Sequence, residues 1–243
     1  MEYIIVTILA IVLGQIVAHL NKKMPPVVSE EISYKEYYST LFKDYKFDYR
    51  WSLILIVIFN ILIYFIPDTI TAISFMFISS ILMIVFSIDY RFQLIPDEAH
   101  IAIAVIAIIN MIIGKINILD SIFGALIGGG IFLAIALIAL FIYKKEGMGF
   151  GDVKLMAALG LFFGTEKILV ITLLSFFIGA IIGGGLLIFT KKKSNSYIPF
   201  GPFIVIGTLI IMFVEPNIII DMYIGLCKWI SQIINDIIWF FVK

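Results

Sequence analysis

The sequence predicts an all-α fold: a polytopic membrane helical bundle of eight or nine transmembrane helices. Three observations carry this reading. Hydrophobic residues fill 62% of the 243 positions and charged residues only 14%, whereas a soluble domain is roughly half apolar. The apolar residues gather in runs of the length that crosses a bilayer or half of one. The basic residues sort to one side of the alternating connections, as the positive-inside rule requires. The 17 basic and 17 acidic residues cancel. With no basic domain, and with aromatic residues scattered through apolar spans, nucleic acid is excluded as a partner.

The candidate spans, in order, are Tyr3–Leu20, Trp51–Ile66, Ile70–Ile88, His100–Ile113, Ile118–Tyr143, Val153–Phe163, Ile168–Thr190, Phe203–Val214 and Ile218–Val242. The first lacks the basic flank of a secretory signal and reads as an uncleaved helix. Alternation gathers Lys22, Lys23, Arg50, Arg91, Lys144, Lys154 and Lys191–Lys193, among others, on one face. Only Lys115 and Lys167 fall on the other. The chain is therefore expected in the cell membrane as a multi-pass protein, N-terminus outside, with its charged loops in the cytoplasm. Alternation holds only if the short span Val153–Phe163 is a crossing of its own.

The one sizeable polar segment, residues 21–50, joins the first two spans on the cytoplasmic side of a single membrane-embedded domain (residues 1–243). It is rich in tyrosine (Tyr34, Tyr37, Tyr38, Tyr45, Tyr49). Such a segment fits an interfacial flap, with rings at headgroup level, as well as it fits a solvated loop. The next connection on that face runs from Asp89 to Asp97. Pro96 holds Ile95 extended, and Asp97 is placed to cap the helix starting near Glu98. Asp89 has no such duty. Glycines at 124, 128, 129 and 130, and again at 179, 183, 184 and 185, are of the small kind that lets membrane helices approach closely.

A polar octet, Gly147-Met148-Gly149-Phe150-Gly151-Asp152-Val153-Lys154, then interrupts the apolar chain. A carboxylate at a membrane edge is costly and points to function. Asp152 lies on the same face as Asp89, and two carboxylates sharing a site do not both ionise easily. One then takes a proton from water while the other polarises a carbonyl. Gly147, Gly149 and Gly151 leave room for an extended substrate backbone. Lys154 is placed to meet an anionic group or lipid headgroups. Farther on, Ile198-Pro199-Phe200-Gly201-Pro202 makes a rigid turn on that same face.

Other chemistries find little support. His19 and His100 are the only histidines and Cys227 the only cysteine. No zinc-protease motif, histidine-backed nucleophile or CxxC metal site can be assembled from them, and neither metal nor cofactor is expected. His100 reads as an interfacial helix residue.

The octet resembles the GxGD motif of the type IV prepilin peptidases, a family of aspartyl membrane proteases. Ile88-Asp89 with Leu94-Ile95-Pro96-Asp97 resembles the family's first aspartate motif, and Ile198–Phe203 its IPFGP signature. Leu13–Asn21 with Met24-Pro25 matches its first helix more weakly. The matches occur in the family's order. They imply the GxGD aspartyl protease fold, with Asp89 and Asp152 catalytic and Asp97, Gly147, Gly149, Gly151, Lys154, Pro199 and Gly201 binding substrate or supporting. They further imply removal of a short basic leader from prepilin or archaellin-like precursors at the cytoplasmic face, beside membrane lipids. Glu98 and Glu146 would suit a basic leader. Residues 21–50 lack the zinc-binding cysteines that many bacterial members carry, so methyl transfer is not expected. Preflagellin (archaellin) peptidases share GxGD but usually lack IPFGP. Rivals from other classes are a glycine-packed transporter or channel and a non-catalytic pilus-assembly subunit. A transporter predicts ionisable groups near span centres, where this chain has almost none.

Overall fold

A computed structural model describes residues 2–28, 47–144, 149–189 and 199–242. Among them are eight helices and no strand: α1 Glu2–Val28, α2 Tyr49–Phe65, α3 Thr69–Phe92, α4 Asp97–Ile112, α5 Ile118–Tyr143, α6 Phe150–Phe189, α7 Gly201–Phe213 and α8 Pro216–Val242. Five of them (α1, α3, α5, α6 and α8) contain stretches long and apolar enough to cross a membrane, while α2 and α7 are shorter apolar helices. The protein is an all-α polytopic membrane protein.

Two boundaries differ from the sequence reading. The first helix continues past Leu20 to Val28, so the segment 21–50 begins as helix; residues 29–46, including four of its five tyrosines, lie outside the described residues. The third helix runs one turn beyond Ile88, to Phe92, and stops where Gln93 turns left-handed at φ 56°. Asp89 therefore sits inside a helix and not in the connection after it. In both places hydrophobicity ends before the backbone hydrogen bonding does.

α6 contains both expected spans, Val153–Phe163 and Ile168–Thr190, broken at Gly164. Its partners on α5 show that the two arms fold back on each other. Gly124 of α5 abuts Gly160 and Gly164, while Gly128 abuts Met156 of the first arm and Ile168 of the second. Farther along, Phe132 stacks on Phe176 with centroids 5.4 Å apart. Moving down α5, one arm is met in descending order and the other in ascending order. The two arms thus run antiparallel to each other. Gly164 makes the turn at φ 75°, ψ −178°, a region open only to glycine. The Asp120 carboxylate accepts a hydrogen bond from the Thr165 backbone at 3.1 Å and so caps the returning arm.

α3 is the central helix, packing against α1, α2, α4 and α7. Phe75, Ile78, Leu82, Val85 and Asp89 are all buried along it. Their spacing of three and four residues is one continuous face of a helix. At the opposite end, Asp68 caps α3 through Thr71 and pairs with Lys115 beyond α4. Lys115 and then Thr71 hold the Asp68 carboxyl down at about 2, so this tie stays ionised at any ordinary pH. Gln15 inside α1 is likewise paired. Gln15 donates to the Asp48 carbonyl and to Ser52 Oγ, and its Oε1 accepts from the Asp48 backbone. α8 is exposed from Asp221 to Asp236. It leaves a cavity of about 580 Å³ against the second arm of α6, lined by Leu173, Phe177, Met222, Tyr223 and Trp229 among others.

The turn gives a direct prediction. At Gly164 a side chain suffers both the φ/ψ penalty and a collision with Asp120. Gly164→Ala is expected to destabilise the protein by about 1–3 kcal/mol, read as a lowered thermal midpoint in detergent, whereas Gly130→Ala, which meets nothing within 4 Å, stays close to wild type.

Candidate active site

Asp89 occupies the last turn of α3 as the next member of an apolar face, and only 5% of it is exposed. Its Oδ2 accepts a hydrogen bond of 2.9 Å from the backbone N–H of Gly201. That N–H opens α7, so Asp89 sits at the positive end of a helix where unpaired amides favour an anion. The approach is close: a Cβ on residue 201 would stand 2.5 Å from Oδ2. The turn is held by Phe200, whose ring packs on Phe132, Phe176 and Phe203 at 5.7, 5.1 and 5.8 Å. Pro199 precedes it, partly buried.

Asp152 follows the same rule on α6. It continues the buried face of Met156, Leu159 and Phe163, and it too is 5% exposed. Its backbone N–H donates to the Gly149 carbonyl at 3.1 Å, starting the helix. Oδ1 is buried with no hydrogen-bond partner among the described residues. The two helices run in opposite senses. Phe75 of α3 meets Phe162 and Phe163 of α6 at 5.8 and 5.7 Å. From there α3 rises about 21 Å to Asp89 and the first arm of α6 about 16 Å back to Asp152. Both carboxylates arrive at one end of the bundle.

The remaining expected residues divide. Asp97 is not the cap of α4: Pro96 holds that position with no side-chain bond, and Asp97 is the first residue inside the helix. Its Oδ1 accepts from His100 Nε2 and from Lys154 Nζ, each at 2.8 Å. Lys154 therefore faces neither a free anion site nor headgroups alone; it bridges α6 to α4 and lies 5.6 Å from the Phe150 ring centroid. His100, read from sequence as interfacial, is buried. The signal for it was present in the three-residue spacing from Asp97, one helical turn.

Gly151 does not leave room for a substrate, because the Ile95 side chain occupies the space its Cβ would take, at 3.0 Å. Beside Gly149, Asp152 Oδ2 is the one atom among the described residues within 4 Å of the absent Cβ. Gly147 lies outside the described residues. Among the described residues no three His, Cys, Asp or Glu side chains group as a metal site would need.

Opposed apolar helices that bring two buried carboxylates to one end of a membrane bundle define a membrane protein built around a carboxylate pair. Residues 76–184, which include both carboxylates, match the model of the type IV leader peptidase family. Over that region the chain is similar to this family. Among curated relatives, the "Prepilin leader peptidase/N-methyltransferase" of Aeromonas salmonicida is 33% identical over 121 residues, covering 49% of this chain and 42% of the relative. The proteins of that name from Escherichia coli (strain K12) and Legionella pneumophila are 32% and 37% identical. Those matches cover 51% and 57% of this chain, and 55% and 48% of the relatives. The chain thus spans about half the length of the curated relatives it matches. No solved structure matches it.

Burial of an unpartnered carboxyl oxygen works against folding. Asp152→Asn removes the possibility of a buried charge at that position, and it is expected to raise the thermal midpoint of the purified protein slightly. A lowered midpoint would mean that Asp152 is held by bonds that stabilise it.

Proposed function

We propose that this protein is a membrane aspartyl endopeptidase that removes the short basic leader from type IV prepilin-like precursors. In this reading residues 1–243 act as a single membrane-embedded peptidase domain, N-terminus outside, with the active site at the cytoplasmic face. The observation that carries the proposal is the convergence of Asp89 and Asp152, buried, from helices far apart in the chain. The likeness to the family model over the region that contains them supports it, as do the names of the relatives.

The chemistry follows from the pair. Two buried neighbouring carboxyls retain one proton between them. The ionised member draws a proton from a water molecule whose oxygen bonds to the scissile carbonyl carbon, while the protonated member gives its proton to the carbonyl oxygen. Collapse of that tetrahedral species breaks the C–N bond as the leaving nitrogen takes up a proton, and the pair returns to its starting state. An extended substrate backbone is assigned to the flank beside Gly149, with the apolar part of the precursor left in the lipid. A partly shielded carboxylate on Glu98 suits a basic leader. Archaellin-type precursors demand the same chemistry and differ only in the segment presented. The proposal does not extend to methyl transfer, since residues 21–50 contain no cysteine to staple the subdomain that many bacterial members carry.

Purified protein in liposomes, incubated with prepilin and archaellin precursors, tests this by mass mapping of the new N-terminus. Asp89→Asn and Asp152→Asn should each lower cleavage at least about 100-fold. Full processing by either variant removes that residue from the reaction. Ion flux without cleavage would instead favour a transporter.

A further inference from the structure

Among the described residues, no bond ties the two carboxylates together. Asp89 is fastened to α7 through Gly201, while among the described residues Asp152 has one oxygen without a partner and is bonded only within its own turn. α3 and α6 touch through phenylalanine rings at the far end, yet they are not among the closely packed helix pairs. Their spacing at the carboxylate end must be set by something else. α4 packs against both α3 and α6. The segment bearing Asp152 is met by Ile95, just ahead of α4, under Gly151, and by the Asp97 carboxylate at the start of α4, bonded to Lys154. Asp97 is itself pinned by buried His100, whose Nε2 must carry the donated hydrogen.

We propose that the Asp97–Lys154 pair, anchored by His100, is a positioning brace that sets Asp152 at its working distance from Asp89. The ring it closes runs from Asp89 through the Gln93 turn and Pro96 to Asp97, then across to Lys154 and back along the first turn of α6 to Asp152. Exposed ion pairs contribute little to stability, and both partners here are substantially exposed, at 57% and 40% of their side chains. The brace therefore acts on geometry, and small misplacements of reacting groups are costly to rate. This inference rests on the proteolytic reading for its kinetic consequences only.

Two measurements decide it. Lys154→Met and Asp97→Asn should each lower kcat about 10- to 100-fold while KM stays within about twofold; the double variant should be no slower than the worse single, and Lys154→Arg should recover most of the rate. Unchanged kcat in both singles, or fully multiplicative losses in the double, overturns the brace. The second readout needs no activity. In a Cys227→Ser background, Ile95→Cys with Gly151→Cys should form a disulfide readily under mild oxidation, and adding Asp97→Asn or Lys154→Met should slow its formation about tenfold, the low end of the rate change expected from misplacement. An unchanged cross-linking rate overturns the brace even if no substrate is ever cut. Failure of the wild-type chain to cleave, with cross-linking slowed as described, sinks the proteolytic reading and leaves the brace standing.

Discussion

A carboxylate withdrawn from water at the edge of a bilayer costs several kcal/mol unless bonds or neighbours compensate it, and this chain withdraws two of them at one place. Much of the structure can be read as the means of doing so. Each aspartate takes the terminal position of a face that is otherwise apolar: Phe75, Ile78, Leu82 and Val85 lead to Asp89, and Phe163, Leu159 and Met156 lead back to Asp152. Burial is thus imposed by the same periodicity that packs the core, with no special pocket required. Compensation is unequal. Asp89 receives a helix N-terminus through Gly201, whereas one oxygen of Asp152 receives nothing among the described residues.

That inequality separates what the sequence disclosed from what it withheld. The two aspartates stood out because acids are rare in so apolar a chain, and charge asymmetry put them on one face. Their position along helical faces was available in principle but was masked by ending α3 at Ile88, where hydropathy falls. The bond from Gly201 joins residues 112 positions apart, and no local pattern announces such a contact; the Ile198–Pro202 turn showed only that the chain bends there. Asp97 was misread for a related reason. Capping is a local rule, and at this position a long-range partner, Lys154, together with His100 outweighed it.

The glycine stripes show the same split. On α5, Gly124 and Gly128 let the backbone of α6 come within contact distance, as small residues in membrane helices commonly do. On the second arm of α6, Gly179 accommodates Phe203 and Phe200, but Gly184 and Gly185 meet nothing within 4 Å among the described residues. Spacing alone could not tell the two stripes apart, because it depends on which neighbour the fold brings alongside.

The hairpin at Gly164 has a consequence for how the molecule is made. Its first arm, residues 150–163, is about 21 Å long, short of the roughly 30 Å hydrocarbon thickness. An arm of that length, with a carboxylate near its leading end, holds a bilayer position poorly by itself. Asp120 and the glycines of α5 supply what it lacks, since they fasten the turn and present a surface against which both arms lie. During synthesis the arm bearing Asp152 is thus expected to enter the membrane as half of a pair, after α5 is in place to receive it. The order of helices in the chain, α5 directly before α6, is the order that such an entry needs.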